Sequence, residues 1–327
     1  MRTLIFLALA ACAGSGAAPA PAPAPLEPKA EYQTVRFHSD ALGVDKDYVV
    51  WLPPAYQGTT ERFPVLYMLH GLGGSESDWR HLDIGAAAAR VGLHAIIVMP
   101  DGDDGFYVDW PTAVDYDACL KSRRPFGVET DMTRYCVRTP RYEDYIVGDL
   151  IGDVDARFRT IAERRGRAIG GLSMGGYGAL YLGLAHRDRF AAIASHAGVA
   201  SLLYLGPHPY RAGAEQLSTD PRPWLAGAGA FGPLFRAVFG EDIGNWRSHD
   251  PATLAAALEP GAIALYFDCG TEDEFNLDDH NTYLHDQLDA HHIPHTWTLI
   301  DGGHHDKRFW TTRIDHSLRF VAAAFGS

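Results

Sequence analysis

The chain of 327 residues is 46% hydrophobic and 21% charged, which is ordinary for a globular protein with one large core. Its net charge of −13 excludes a surface that binds nucleic acid or anionic lipid, because no basic patch is available to neutralise phosphates. We therefore expect no nucleic-acid partner and no contact with a membrane beyond the N-terminal attachment described next.

The first 12 residues have the features of an export signal. Arg2 supplies a short charged start, and residues 4–11 form an apolar stretch that is too short to span a bilayer. Residues 9–12 read Leu-Ala-Ala-Cys and look like a bacterial lipobox, which predicts a signal peptide over residues 1–12 and a lipid on Cys12. The alternative is an ordinary secretory signal with an incidental Cys12. The Ala/Pro-rich residues 13–30 predict an extended tether.

From residue 31 to residue 327 the pattern predicts a single domain in which strands and helices alternate, as in an α/β sheet covered by helices on both faces. The first two strands should form an antiparallel pair with a turn around Gly43, and apolar spacing predicts helices at 142–159 and 309–325. The predicted strands cover residues 33–37, 47–52, 65–69, 95–99, 167–170, 190–194, 262–267 and 296–300.

Two stretches interrupt this alternation, polar residues 111–141 and the Gly-, Pro- and aromatic-rich residues 199–257. We expect both to be loop or cap insertions that shape a pocket at the edge where the strands end. Cys119 and Cys136 lie in the first insertion and should form a disulfide in an exported protein. Cys269 ends an apolar strand and should be a small buried hydrophobic residue.

Residues 171–175 read Gly-Leu-Ser-Met-Gly, a G-x-S-x-G pattern between a predicted strand and a predicted helix. A sharp strand-to-helix turn needs glycine where the backbone folds tightly on itself. The pattern predicts a nucleophile elbow that exposes Ser173, with the backbone N–H of Met174 as one donor to a developing oxyanion.

A serine nucleophile also needs a base and an acid that orients the base. In the α/β-hydrolase arrangement the chain order is serine, acid, histidine. The strand at 262–267 runs into residues 268–275, Asp-Cys-Gly-Thr-Glu-Asp-Glu-Phe, and the last strand runs into residues 301–306, Asp-Gly-Gly-His-His-Asp. The candidate acids are Asp268, Glu272, Asp273 and Asp278, and the candidate bases are His304 and His305.

These motifs resemble the esterase D-type branch of the α/β hydrolases, which includes S-formylglutathione hydrolases, feruloyl and acetylxylan esterases, and mycolyltransferases. The resemblance extends from about residue 33 to the end of the chain. It is carried by the elbow, by His-Gly-Leu-Gly-Gly at 70–74, by Pro-Asp-Gly at 100–102, by G-x-x-D-x-F at 270–275, and by a Gly-x-His followed five residues later by tryptophan.

The resemblance implies an α/β-hydrolase fold with a mostly parallel sheet and a catalytic triad of Ser173, Asp273 and His305. It selects His305 because Trp310 follows five residues later, and His304 is the alternative base. It also implies the backbone N–H of Leu72 as the second oxyanion donor and a reaction that needs no cofactor.

No metal site is expected, although the chain contains 16 histidines. In the run His-His-x-x-His at 291–295 the outer histidines are four residues apart, but the glutamate that accompanies such a pair in hydrolytic zinc helices is absent. Turn chemistry explains the aspartates at 101, 103 and 104 without a calcium ion.

Aromatic residues are frequent in the segments on the side of the site, and we expect most of them to pack the caps against the body. Tyr107 and Trp110 are the expected substrate-binding residues among them. The others are Phe106, Trp224, Phe231, Phe235 and Trp246.

Together the motifs predict an exported serine esterase that hydrolyses a carboxylic ester through an acyl-enzyme. The expected substrate is a small-molecule or polysaccharide ester, with acetyl or feruloyl groups on carbohydrate favoured because a glutathione thioester belongs in the cytosol. One alternative is an acyltransferase that acts on a carbohydrate hydroxyl. Another is a non-catalytic surface binding protein on the same scaffold.

Overall fold

The computed structural model describes residues 31–127 and 129–326. The predicted signal peptide, Cys12 and the tether at 13–30 lie outside the described residues. The strands are β1 (Glu31–Ser39), β2 (Val44–Leu52), β3 (Val65–Leu69), β4 (Ile96–Pro100), β5 (Arg167–Leu172), β6 (Ala192–His196), β7 (Tyr204–Gly206), β8 (Gln216–Leu217), β9 (Ala264–Glu272) and β10 (Thr296–His304).

Eight of these strands form a central sheet in the order β1-β2-β4-β3-β5-β6-β9-β10, and β7 pairs with β8 separately. β2 is antiparallel to both β1 and β4, and the remaining neighbours of the central sheet run parallel. The turn between β1 and β2 contains Gly43 at φ +67°, a conformation that glycine adopts without steric cost. Strands β3 to β6 are buried along their whole length, as parallel strands covered on both faces should be.

The α-helices are α1 (Asp78–His81), α2 (Ile84–Val91), α3 (Tyr116–Leu120), α4 (Met132–Tyr135), α5 (Tyr142–Asp144), α6 (Ile151–Arg157), α7 (Met174–Ala185), α8 (Arg222–Gly227), α9 (Phe231–Phe239), α10 (Ile243–Ser248), α11 (Pro251–Ala255), α12 (Leu277–Ala290) and α13 (Lys307–Phe325). Short 3-10 turns lie at Pro54–Tyr56 and Arg164–Gly166. Within the described ranges, no helix is both long and apolar enough to cross a membrane.

The helix predicted at 142–159 is not a single α-helix. A π-helical segment, Tyr145–Leu150, joins α5 to α6, and α6 ends at Arg157. Four apolar side chains of this segment are buried, those of Tyr145, Ile146, Val147 and Leu150. The apolar spacing of the sequence therefore indicates a helix but does not distinguish an α-turn from the wider π-turn.

Helices cover the two faces of the sheet and bury two separate hydrophobic clusters. One cluster includes α7, which packs against β3, β5 and β6 and is buried on nearly all sides. The other includes residues of α2 and α13, which pack against each other. Because β3, β5, β9 and β10 are parallel, the loops that follow them leave the same edge of the sheet.

The two interrupting stretches lie between strands of the sheet. Residues 111–141 follow β4 and contain α3, α4 and the expected disulfide between Cys119 and Cys136. Residues 199–257 lie between β6 and β9 and contain the β7–β8 hairpin and helices α8 to α11. Cys269, expected to be buried, is wholly inaccessible.

A buried lysine sits beside the carboxyl end of β4. The Lys46 ammonium, 1% exposed, donates to Asp101 at 2.9 Å, to Asp103 at 2.7 Å and to the carbonyl of Arg134 at 2.9 Å. Three donated hydrogen bonds compensate for the removal of this charge from water. Burial, together with the nearby Asp101, raises the pKa of Asp103 to about 7.

This raised pKa makes stability depend on pH. The unfolded pKa of an aspartate is about 4, so folding takes up a proton, and this contribution is lost as the pH rises from about 4 through 7. Asparagine does not titrate, so the Asp103→Asn variant should not show this loss of stability with rising pH. The free energy of unfolding of the wild type, minus that of the variant, should therefore fall between pH 5 and pH 8, by at most about 1.4 kcal/mol per pH unit. Thermal or urea unfolding across this range measures it. Asp117→Asn, at an exposed aspartate of α3, is the control, and a difference independent of pH would contradict the prediction.

Candidate active site

Ser173 lies at the tight turn between β5 and α7. Its backbone has φ 54° and ψ −120°, a region that non-glycine residues rarely adopt and that costs on the order of 1–3 kcal/mol. A Cβ on Gly171 would lie 2.2 Å from the carbonyl oxygen of Gly175, and a Cβ on Gly175 would lie 2.2 Å from that of Leu69. Only glycine therefore fits on either side of the serine.

His305 connects this serine to a carboxylate. Its Nε2 lies 2.8 Å from Ser173 Oγ, and its Nδ1 lies 2.7 Å from Asp273 Oδ2. Because a carboxylate can only accept, Nδ1 carries a proton, which leaves Nε2 free to accept the serine proton. Phe275 and Trp310 each pack at a steep angle to the imidazole, with ring centroids at 4.9 Å and 5.3 Å.

Asp273 is fixed by the loop that follows β9. Its carboxylate is inaccessible to solvent and accepts the backbone N–H groups of Phe275 at 3.0 Å and Leu277 at 3.4 Å. The neighbouring His304 points elsewhere, because its ring is about half exposed and pairs with Glu274 at 2.9 Å. The structure therefore brings His305 to the serine, and not the alternative His304.

A second Ser-His-Asp arrangement involves the rival acid Asp268. His196 lies 2.8 Å from Asp268 through Nδ1 and 2.9 Å from Ser317 Oγ through Nε2. Asp268 also accepts from Arg313 at 3.0 Å, and Ser317 donates to the carbonyl of Ile314. This arrangement is buried, so no substrate can reach its hydroxyl. Asp268 serves this internal network, not the exposed serine.

The loop at residues 70–74, which we call the oxyanion loop, lies next to the elbow. A Cβ on Gly71 would be 3.4 Å from the Cβ of Ser173. His70 is buried, its Nδ1 bonds the carbonyl of Gly71 at 2.8 Å, and its Nε2 accepts the N–H of Gly102 at 2.9 Å. Leu72 of this loop and Met174, the two predicted oxyanion donors, both line the pocket described next.

A cavity of about 810 Å³ opens onto Ser173 and His305. Its walls are mainly apolar and come from both insertions and from the loops after β6 and β9. The Phe, Tyr and Trp residues that line it are Phe106, Phe126, Tyr204, Trp224, Phe231, Phe235, Trp246, Phe275 and Trp310.

The structure corrects the predicted substrate-binding residues. Tyr107 is wholly buried and donates to the carbonyl of His70 at 2.9 Å, while Trp110 donates to the carbonyl of Gly105 at 3.1 Å; neither lines the cavity. Phe106, the neighbour of Tyr107, faces the cavity instead. Phe106 and Tyr107 have positive φ angles of 53° and 58°, and the residue types at these positions do not indicate such a turn. The insertion aromatics, expected mainly to pack the caps, also form the cavity wall.

Groups that could hold a metal lie away from the cavity lining. One is His285, Asp289 and His295, and another is His208, Asp278 and Asp279. The aspartates at 101, 103 and 104 are paired with the chain's own cations, the first two with Lys46 and the third with Arg124.

The chain belongs to the Esterase family, whose model (described as "Putative esterase") matches residues 39–321. An esterase of Mycobacterium tuberculosis is 34% identical over 168 residues, 51% of this chain and 32% of that protein. The chain therefore spans about a third of that relative. An acetyl esterase of Caldicellulosiruptor saccharolyticus is 24% identical over 80% of this chain and 85% of that protein.

Solved structures confirm the predicted fold class. A ferulic acid esterase superposes with a TM-score of 0.64 at 21% identity and covers 91% of this chain and 99% of that chain. An S-formylglutathione hydrolase of Agrobacterium tumefaciens gives a TM-score of 0.66 at 19% identity, with 91% and 96% covered. The protein has the α/β-hydrolase fold, with a mostly parallel eight-stranded sheet.

The two aspartates make a direct test of which acid orients the base. Asp273→Asn should lower kcat for ester hydrolysis by about 10⁴-fold with little change in melting temperature, because an amide no longer fixes the imidazole tautomer. Asp268→Asn should lower the melting temperature while leaving kcat of the folded enzyme within about threefold of wild type, since it alters side-chain bonds that do not reach Ser173 Oγ. The network meets Ser173 through the backbone, where the His196 carbonyl accepts the Ser173 N–H at 2.9 Å. A large loss of kcat in Asp268→Asn, with kcat retained in Asp273→Asn, would instead show that Asp268 orients the base.

Proposed function

We propose that the protein is a serine hydrolase of carboxylic esters that uses Ser173, His305 and Asp273 as its triad. The observation that carries this proposal is the hydrogen-bonded chain from Ser173 Oγ through His305 to Asp273, at 2.8 Å and 2.7 Å, open to a large cavity. The family match and the esterase relatives support the same reaction class.

In this mechanism Ser173 Oγ attacks the ester carbonyl carbon while His305 Nε2 takes the hydroxyl proton. The imidazolium is stabilised by the Asp273 carboxylate and then gives its proton to the departing alcohol, which leaves an acyl-enzyme. A water molecule, activated by the same Nε2, attacks the acyl carbon, releases the acid and restores the serine.

The developing oxyanion would be stabilised by the backbone N–H groups of Leu72 and Met174. Met174 is the first residue of α7, where the helix dipole favours negative charge. Leu72 belongs to the oxyanion loop, whose Gly71 lies against Ser173. Each such donor is worth about 3 kcal/mol in the transition state.

The cavity favours a bulky apolar or aromatic acyl group over acetyl. An acetyl group would leave most of the roughly 810 Å³ filled with water, whereas an aromatic acyl group would bury its rings against the aromatic wall. Of the two acyl groups favoured by the sequence, we therefore propose feruloyl-like acids. One of the structural relatives is a ferulic acid esterase, which is consistent with this choice.

We further propose that the protein is exported and meets carbohydrate-linked esters outside the cytosol. Support comes from the lipobox-like residues 9–12 and from the Cys119–Cys136 disulfide, because disulfides persist in oxidising compartments. The alcohol part of the substrate would then be a sugar hydroxyl of a polysaccharide.

Initial rates on a panel of esters test the reaction and the acyl preference together. The panel contains p-nitrophenyl acetate and octanoate, methyl ferulate, acetylated xylan and S-formylglutathione. We expect kcat/KM for p-nitrophenyl octanoate to exceed that for p-nitrophenyl acetate, because the leaving group is the same and the larger acyl group fills the cavity. Hydrolysis of methyl ferulate, an ester without an activated leaving group, would show that an aromatic acyl group is accepted.

Ser173→Ala is the matched control across this panel. It should reduce turnover to background and leave the melting temperature equal to or above that of wild type, since alanine keeps the backbone and removes only Oγ. A folded wild-type protein that hydrolyses none of these esters would contradict the proposed hydrolysis. In that case acyl transfer would be assayed with a sugar acceptor, and a negative result there would favour the binding role.

Cys12→Ser tests the proposed anchor. Wild-type protein expressed in a bacterial host should incorporate radiolabelled palmitate and sediment with membranes, because stable anchoring uses the acyl chains on the cysteine. The variant should lose both properties. Unlabelled wild-type protein in the soluble periplasmic fraction would instead support the ordinary secretory signal.

A further inference from the structure

The first insertion reaches the oxyanion loop through one arginine. Arg124 lies between Cys119 and Cys136, in a segment that the disulfide closes. Its guanidinium is 5% exposed and lies over the Tyr135 ring, 5.1 Å from the centroid. It donates to the carbonyl oxygen of Gly74 at 3.0 Å and to Asp104 at 2.9 Å and 3.3 Å.

Asp104 completes the connection to the loop. Its Oδ1 accepts the backbone N–H of Gly73 at 3.0 Å, and its side chain is 1% exposed. Arg124 and Asp104 therefore fix the carbonyl of Gly74 and the N–H of Gly73, the two residues that follow Leu72. Both bonds bear on the backbone that would present the Leu72 N–H to the oxyanion.

The charge of Asp104 also affects the oxyanion site. A buried, unpaired carboxylate bonded one residue from an oxyanion donor would oppose the negative charge that develops on the substrate oxygen. Arg124 neutralises Asp104 with two hydrogen bonds, and breaking such a buried pair on one side leaves an uncompensated charge.

The insertion also packs directly on the loop. A Cβ on Gly127 would lie 2.2 Å from the carbonyl oxygen of Gly73, and one on Gly73 would lie 2.8 Å from the amide nitrogen of Gly127. Phe126 lines the cavity and stacks on Phe231 of the second insertion at 5.4 Å. The segment thus contacts the loop backbone, the cavity and the other cap.

We propose that Arg124 is a positioning residue for catalysis, which holds the oxyanion loop through Gly74 and the Asp104–Gly73 hydrogen bond and cancels the charge of Asp104. The inference rests on the proposed function, because the loop matters only if an oxyanion forms beside it. It gives the first insertion a role in the chemistry in addition to its role in the cavity wall.

The test compares kcat and KM for methyl ferulate or p-nitrophenyl octanoate, whichever wild type hydrolyses faster. Arg124→Met should lower kcat by about 10- to 100-fold with KM within about threefold, because the loss falls on the transition state. Arg124→Met combined with Asp104→Asn should recover at least about tenfold of that loss, since the amide oxygen still accepts from Gly73 and the negative charge is gone. Arg124→Lys, which keeps the charge but not the forked donors, should give an intermediate kcat.

Arg165→Met is the matched control, because Arg165 is an exposed arginine paired only with Glu163 in the described residues. It should leave kcat and melting temperature unchanged. Melting curves establish that each variant is folded, and if Arg124→Met does not fold, the Lys variant and the double variant carry the comparison.

Two failures are distinguishable. Inactive wild type would overturn the proposed function and this inference with it. Active wild type, with Arg124 variants that lose melting temperature but keep wild-type kcat, would overturn the positioning role alone. Absence of rescue by Asp104→Asn would overturn the charge argument.

Discussion

The left-handed backbone at Ser173 is the constraint on which the rest of the site depends. The turn can form only because Gly171 and Gly175 let β5, the start of α7 and the end of β3 approach within distances that a Cβ would block. The same approach places the oxyanion loop against the serine. Burial of α7 on nearly all sides offsets the cost of the strained residue, so the sheet and helix hold Ser173 in a conformation it would not adopt alone.

Exposure, and not the presence of a Ser-His-Asp arrangement, separates the candidate site from the rest of the molecule. Ser317, His196 and Asp268 have hydrogen-bond distances close to those of the triad, yet they lie inside the protein. There Ser317 donates to the carbonyl of Ile314, and Asp268 accepts from the Arg313 guanidinium. The arrangement at Ser173 differs because its serine stands at an open cavity and its buried acid is satisfied by backbone N–H groups. This difference makes the arrangement at Ser173, and not the buried one, the candidate for chemistry.

Behind the apolar cavity, buried charges organise the backbone of the loops. Lys46 joins Asp101 and Asp103, and Arg124 joins Asp104 to the oxyanion loop, so consecutive turns after β3 and β4 are held by paired groups. Water cannot screen these pairs, and each one therefore fixes geometry more firmly than a surface ion pair would. The cavity itself carries few polar groups, which suits an acyl group bound by area and shape.

Local sequence signals were enough to predict the elbow at Ser173, an acid after β9, a base after β10 and the alternation that builds the sheet, because these depend on turn residues and on period. They also predicted the Cys119–Cys136 disulfide. Contacts between distant segments decided the rest: which of Asp268 and Asp273 meets the imidazole, that Tyr107 turns inward while Phe106 faces the cavity, and that Arg124 reaches Gly74 from 50 residues away. Side-chain direction after a positive-φ turn and pairing across insertions have no short-range signal, since they arise only when the sheet has brought its loops to one edge.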